Sequence, residues 1–262
     1  MRFCAYLQGD EAREGIVEGD QVIPIDGSMF GDYKRLDSET VPLAKVKLLA
    51  PVIPPKILAA AVNYQSHVPS GRTVLKDNDA PAIPQLFFKP SSSVIGPDDE
   101  IILPAEARRV DAEGELVAVI GKTARNVSED EALDYVFGYT CGNDLSARHW
   151  QRDDIQWWRA KGSDTFSPIG PYITTDLDPA NLQLRTVVNG EEKQASNTSQ
   201  QIHSLAAIIA FASRVMTLEP GDLIFTGTPG EPPRLEDGDT VVVEIEGIGA
   251  LRNVVRREVV TE

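Results

Sequence analysis

The sequence predicts a strand-rich α+β fold, a mixed β roll or barrel with a small β subdomain at its N-terminus. Three observations predict it. Short apolar or alternating runs are frequent, only two segments carry a convincing helical period, and the strands do not alternate with helices as βαβ units of a doubly wound sheet would. The chain of 262 residues is long enough for one or two domains whose core needs no disulfide or metal to hold it.

The elements follow in chain order. Arg2 to Leu7, Gly15 to Val17 and Gln21 to Ile25 read as strands separated by Gly/Asp turns. They form the N-terminal β subdomain, residues 1–50. Ala50-Pro51-Val52-Ile53-Pro54-Pro55 interrupts regular structure, because each proline removes a backbone donor and restrains the residue before it. Beyond that boundary, strand-like runs cover Ile57 to Val62, Gln85 to Lys89, Ile101 to Leu103, Glu115 to Ile120, Tyr172 to Thr174, Leu184 to Val188, Leu223 to Phe225 and Thr240 to Ile245. One helix is expected from the capping-box sequence Ser128-Glu129-Asp130-Glu131, with Ala132, Leu133, Val136 and Phe137 on one face. The other runs from His203 to Met216, with Leu205, Ile208, Ile209, Ala212 and Val215 as its stripe. Residues 66–84 have no period and read as a lid or binding loop.

Composition narrows the class of partner. Asp and Glu number 40 against 25 Lys and Arg, a net charge of -15, with no basic run. Nucleic acid and anionic membrane surfaces are therefore excluded as main partners, since both require concentrated positive charge. No stretch is apolar enough for a transmembrane helix or a signal peptide, and a cytoplasmic protein is expected. Cys4 and Cys141 are the only cysteines and belong to no C-x-x-C pair. A disulfide framework and a thiolate zinc site are not expected.

Four segments can carry chemistry. In Val110-Asp111-Ala112-Glu113-Gly114-Glu115, ahead of the apolar Leu116 to Ile120, the three acids recur with period two and share one face of a strand. Either they bind a hard cation, which relieves their mutual repulsion, or they form a solvated strand end. The segment Gly142-Asn143-Asp144 to Gln151 offers a further carboxylate, Asp144, which is also a possible helix cap. A helix starting there puts Arg148 and Gln151 one turn apart, suitable for an organic acid. Lys161-Gly162-Ser163-Asp164 is a polar turn that carries one lysine. Leu223 to Gly230 is a strand ending in small residues and not a phosphate loop, because no Lys-Ser/Thr follows.

Taken together, GELVAVIGK, EALDYVFGYTCGNDLSARHWQ, KGSDTFSPIGP, VNG, DLIFTGTPG and EIEGIGAL resemble, in order, the catalytic domain of the fumarylacetoacetate hydrolase family. The resemblance covers about residues 56 to 255 and makes 51–262 the catalytic domain. It implies a mixed β-roll, usually a homodimer, with Mg²⁺, Mn²⁺ or Ca²⁺ held by Glu113, Glu115 and Asp144, and Asp111 just outside the ligand set. It places Arg148, Gln151 and Lys161 on the carboxylate or enolate oxygens of a small organic acid, and Thr228 and Tyr64 at the same substrate. His67 and Lys161 are the catalytic candidates. Family hydrolases carry a Glu three residues after the lid His; this chain has Ser70, for which Asp77 or Asp79 could substitute. A second departure is His149, where an Asp is common. His203 reads as structural.

The resemblance implies a divalent-metal-dependent enzyme acting on small 2-oxo or 1,3-dicarbonyl acids. Hydrolytic carbon–carbon cleavage of acylpyruvate or fumarylacetoacetate-like substrates, through a metal-stabilised enolate, is the leading expectation. The alternative is a 2-oxo acid decarboxylase or an isomerase or tautomerase, on oxaloacetate or 2-hydroxyhepta-2,4-diene-1,7-dioate, and Ser70 leans toward a reaction that needs no activated water. A catalytically silent protein binding metal and organic acid is the third reading.

Overall fold

A computed structural model describes residues 1–68 and 80–259. Ser70, Asp77 and Asp79 fall outside them. The strand-rich α+β class is what the structure shows, with the described residues forming three sheets of which none closes on itself.

The longer strands are β1 (Arg2–Gln8), β2 (Glu11–Glu18), β3 (Gln21–Gly27), β4 (Ile57–Ala61), β5 (Gln85–Lys89), β6 (Gly114–Ile120), β7 (Val136–Asn143), β8 (Ser167–Thr174), β9 (Gln183–Val188), β10 (Glu191–Asn197), β11 (Leu223–Phe225), β12 (Thr240–Ile245) and β13 (Gly249–Arg257). The main sheet runs β3-β2-β1-β8-β7-β6-β11-β4-β5, so the N-terminal strands continue it through the pairing of Phe3 with Ile173. A second sheet orders β13-β12-β9-β10, with Glu100–Leu103 parallel to β13 at its edge. Three short strands, Val110–Asp111, Ser146–Ala147 and Arg234–Leu235, make a third sheet centred on the first of them.

Strand β6 is buried along its whole length, which is why its sequence is almost unbrokenly apolar. Leu116, Ala118 and Ile120 face one core with Ile224, Cys141 and the helix residues Leu205, Ile208 and Ile209. Val117 and Val119 face the other, with Ala59, Ile173 and Phe225. Each such fully buried Val, Leu or Ile contributes roughly 1.5–3 kcal/mol. Glu115 has the parity of Val117 and Val119, so the acidic stretch is the polar end of a strand clamped between two cores. Gly114 is required there, because a Cβ would lie 2.1 Å from Thr186 Oγ1.

Of the two expected helices, the second forms over Leu205–Ser213 (α3), capped by Ser204, whose side chain accepts from the Ala207 amide at 3.1 Å. Val215 falls beyond its end and is exposed. The first does not form. Ala132–Tyr135 makes one 3₁₀ turn and the chain enters β7 at Val136. Ser128 donates to the Glu131 carboxylate at 2.7 Å instead of capping a helix. Val136, Phe137, Tyr139, Thr140 and Cys141 suit a strand that is flanked by β6 and β8. Two short helices, α1 (Arg148–Asp153) and α2 (Trp158–Gly162), follow β7 and bring Arg148, Gln151 and Lys161 over the acidic end of β6.

Candidate active site

The structure gathers Glu113, Glu115, Asp144, Arg148, Gln151, Lys161, His67 and Thr228 around one recess of about 400 Å³, walled on its apolar side by Val62, Phe87 and Trp157. Tyr64 is not in this lining. It is fully buried, and its hydroxyl accepts from Gln201 at 3.4 Å.

Two distant pieces of chain supply the three acids. Glu113 and Glu115 flank Gly114 at the head of β6, and Asp144 follows β7, antiparallel to it, where the Asp144 amide donates to the Glu113 carbonyl at 2.9 Å. The Glu113 amide in turn donates to the Asn143 side chain at 2.9 Å. One carboxylate oxygen from each acid lies within 4.8 Å of the others, and all three residues are buried. Helix α1 begins at Arg148 rather than Asp144, and the Asp144 carboxylate caps nothing. Its oxygens accept from Lys161 and Lys89, each at 2.5 Å.

Positive charge is interleaved with the acids. Lys161 Nζ reaches both Glu113, at 2.6 Å, and Asp144. Arg148 bonds Glu113 at 2.6 Å, Asp111 at 2.8 Å and the Gln151 side-chain oxygen at 3.0 Å. These contacts leave two of its five N–H groups and the Gln151 amide N–H groups free of protein acceptors among the described residues. Burial alone would push the Glu113 carboxyl up, but Lys161 and Arg148 outweigh it and hold it well below the carboxylate range. Burial likewise works against charged Lys161, and Asp144 with Glu113 outweigh it and raise its ammonium.

Glu115 is the exception. The Gly227 amide donates to it at 2.6 Å, and no cation pairs with it among the described residues. Gly227 holds a φ of +96°, and a Cβ there would press on Asn63 at 2.7 Å, so this amide is presented by a residue that must be glycine. Burial first, then the charges of Asp144 and Glu113, raise the Glu115 carboxyl well above its ordinary value. A buried all-oxygen donor set with one member short of a counter-charge fits a hard divalent cation.

His67 ends a 3₁₀ turn, and its Nδ1 lies 2.6 Å from the Gly230 carbonyl. A carbonyl only accepts, so Nδ1 carries the proton and Nε2 is the basic atom. Burial, and further Arg148 and Lys161, lower its pKa against the opposing pull of Glu113 and the Gly230 carbonyl. Thr228 is buried; its hydroxyl donates to the Gly114 carbonyl at 2.9 Å and accepts from Gln194 at 2.9 Å.

Sequence reasoning missed Lys89. It is wholly buried at the end of β5, and its ammonium meets Asp144, the Lys161 carbonyl at 2.5 Å and the Phe166 carbonyl at 3.1 Å, one acceptor for each proton. Burial pushes its pKa down, with Asp144 opposing. A lysine closing a strand just before a proline looks like a solvated strand end, so no signal in the sequence marked it.

Comparison with known proteins identifies the scaffold on which these residues sit. The family model for the C-terminal domain of fumarylacetoacetate (FAA) hydrolase matches residues 56–256, and a model described as Rv2993c-like, N-terminal, matches residues 1–51. The chain is 43% identical over 226 residues to the mitochondrial oxaloacetate tautomerase fahd2 of Xenopus laevis, covering 81% of this chain and 69% of that one. A solved structure of 5-carboxymethyl-2-hydroxymuconate delta-isomerase from Mycobacterium smegmatis superimposes with a TM-score of 0.91 at 44% identity, over 98% of this chain and 100% of that one. Maleylpyruvate hydrolase from Sphingobium sp. SYK-6, solved with manganese(II) and pyruvate, gives 0.80 at 33% identity, over 99% and 100%. With a family model matched across most of its length and a site built on that scaffold, the chain belongs to the fumarylacetoacetate hydrolase family.

Proposed function

We propose that the protein is a divalent-metal-dependent enzyme that moves a proton on small 2-oxo acids, interconverting enol and keto or isomeric forms. The observation that carries it is the pairing of a proton-poor His67 with the buried Glu113, Glu115 and Asp144 in one recess. Those three carboxylates would hold Mg²⁺, Mn²⁺ or Ca²⁺, which when bound supplies Lewis acidity toward the oxygens of a 2-oxo acid. Arg148 and Gln151 bind and orient the substrate carboxylate with their free N–H groups, and Lys161 adds positive potential where enolate charge develops. His67 Nε2 takes the proton next to the carbonyl and returns it. Phe87, Trp157 and Val62 exclude water along the apolar wall. Thr228 lines the recess with its hydroxyl bonded to the Gly114 carbonyl and Gln194, while the wholly buried Tyr64 stands behind the lining, on Gln201.

Proton transfer is preferred over hydrolysis because the chain carries Ser70 three residues after His67, where family hydrolases carry a Glu, and two of the similar proteins are named as an isomerase and a tautomerase. Hydrolytic carbon–carbon cleavage is the second reading, supported by the hydrolase solved with manganese and pyruvate. A homodimer belongs to the proposal. The exposed Phe88, Ile155 and Trp158 side chains beside the recess offer apolar surface for a second copy.

Incubation with Mg²⁺ and oxaloacetate or an acylpyruvate in D₂O, and separately in H₂¹⁸O, tests the choice. Proton transfer predicts catalysed deuterium entry at the carbon beside the ketone and no ¹⁸O in a cleaved acid. Catalysed ¹⁸O entry with cleavage would replace it by the hydrolytic reading, and neither signal would defeat both.

A further inference from the structure

Strand β10 lies at the edge of the second sheet, and all its residues but one are exposed or half-buried. The exception is Gln194, 4% exposed, which pairs with the buried Thr186 of β9. An apolar side chain would fill that place without polar cost, whereas a buried amide is costly unless its donors and acceptor are used. All of them are used here. Nε2 donates to the Pro229 carbonyl at 2.6 Å and to the Thr228 hydroxyl at 2.9 Å, and Oε1 accepts from the Gly114 amide at 3.3 Å. Because the Thr228 hydroxyl donates in turn to the Gly114 carbonyl, the three residues close a ring of hydrogen bonds.

The two pieces of chain that Gln194 joins carry different halves of the active site. Gly114 stands between Glu113 and Glu115 at the head of β6. Residues 226–230, which follow β11, touch both chemical groups: the Gly227 amide donates to Glu115 at 2.6 Å, and the Gly230 carbonyl accepts from His67 Nδ1 at 2.6 Å. Between those contacts lie Thr228 and Pro229, the residues that Gln194 holds. Gly227 and Gly230 flank them at φ of +96° and +60°, and two glycines leave the backbone at either end free to turn. The middle of the segment therefore depends on a tether from outside.

We propose that Gln194 is a positioning residue that sets the placement of His67 relative to Glu113, Glu115 and Asp144 by pinning residues 228 and 229 to Gly114. The inference rests on the function proposed above and adds to it a residue outside the recess on which the base and the acids jointly depend. Without the two donors the segment relaxes between its glycines, and the Gly227 amide and the Gly230 carbonyl leave their partners together.

The chain has three histidines, so NMR on histidine-¹⁵N-labelled protein can follow the His67 imidazole, identified by its loss in His67→Asn. In the wild type its Nδ1 proton is expected downfield and slow to exchange. Gln194→Met keeps the size of the side chain and removes both donors; it is expected to shift that proton upfield or broaden it away, and to weaken Mn²⁺ binding by calorimetry about tenfold. The kcat for deuterium exchange should fall about tenfold at saturating Mn²⁺, with KM changed less than about twofold, since no side-chain bond of Arg148 or Gln151 reaches residues 226–230 among the described residues. Gln194→Glu, whose buried carboxyl keeps its proton and so retains one donor, is expected to fall between the wild type and Gln194→Met. A side chain that only packs would be replaced better by Met than by Glu. An unmoved His67 proton in folded Gln194→Met, or Gln194→Glu faring worse than Gln194→Met, therefore overturns the assignment. Should Gln194→Met not fold by circular dichroism, Gln194→Asn, whose amide stops one methylene short of Pro229, takes its place with the same expected and contradicting results. If the wild type catalyses no exchange, the functional reading has failed, and the His67 signal, which needs neither metal nor turnover, still decides the role of Gln194.

Discussion

Glu115 differs from its two neighbours in having no cationic partner, and that difference is measurable. Its carboxyl is raised by burial and by Asp144 and Glu113, so without metal it keeps its proton at a pH where ordinary glutamates have lost theirs. Its contribution to stability is therefore complete below about pH 4.3, the ordinary glutamate value, and is lost as pH rises toward the raised folded value. A divalent ion bound there would displace that proton. Metal titration by calorimetry in buffers of different ionisation enthalpy should show proton release on binding, and no buffer dependence would contradict the assignment. Glu115→Gln, which mimics the protonated side chain, is expected to keep the metal-free melting temperature within about 2 °C while losing metal affinity at least about 100-fold. For His67 the lowered pKa keeps the imidazole neutral to a lower pH than an ordinary histidine, so the acid limb of the kcat/KM profile should lie under about pH 6.5 and vanish in His67→Asn. A limb above pH 7 would exclude His67 as the base. At this scale the acids, Arg148, Gln151 and Lys161 were legible through motif resemblance, because period and spacing alone left a solvated strand end and a helix cap open. Lys89 was not legible, since its burial depends on α2 and the Phe166 loop arriving from elsewhere in the chain.

Strand β6 is the element that fixes the site, and its packing leaves no room to adjust. Gly114→Ala places a methyl against Thr186 Oγ1 and near both Val243 methyls, a clash that should cost about 1–3 kcal/mol. Calorimetric melting should fall by roughly 2–10 °C, with weaker metal binding because Glu113 and Glu115 move apart; an unchanged melting temperature would show that β9 can yield. The alternating and apolar runs of β4, β5, β6, β11 and β12 are plain in the sequence because each has a pure apolar face. Among the elements the sequence did not reveal, two were hidden for opposite reasons. The capping-box signature before Ala132 is satisfied by a single turn, and the β-branched and aromatic run after it is claimed by neighbouring strands. In β13 the buried positions Leu251, Asn253 and Val255 do alternate, but one is an amide, which bonds the Gly96 and Asp99 carbonyls at 2.9 Å and conceals the pattern.

For the whole molecule, the order of strands in the main sheet could not be read from the sequence, because β1 pairs with β8 and β11 with β4 across long stretches of chain. Among the described residues no helix is long and apolar enough to cross a membrane. The proposed homodimer predicts that sedimentation velocity gives twice the 28.6 kDa chain mass at micromolar concentration, and that Trp158→Glu shifts the distribution toward monomer. A wild-type monomer would remove that part of the proposal. The proposed metal site requires Glu113, Glu115 and Asp144 together to hold one divalent ion. Titration of the purified protein with Mn²⁺, followed by calorimetry, should give one ion per chain in the wild type and no measurable binding in Glu113→Ala, with the variant still folded by circular dichroism; unchanged affinity in that folded variant would overturn the ligand assignment.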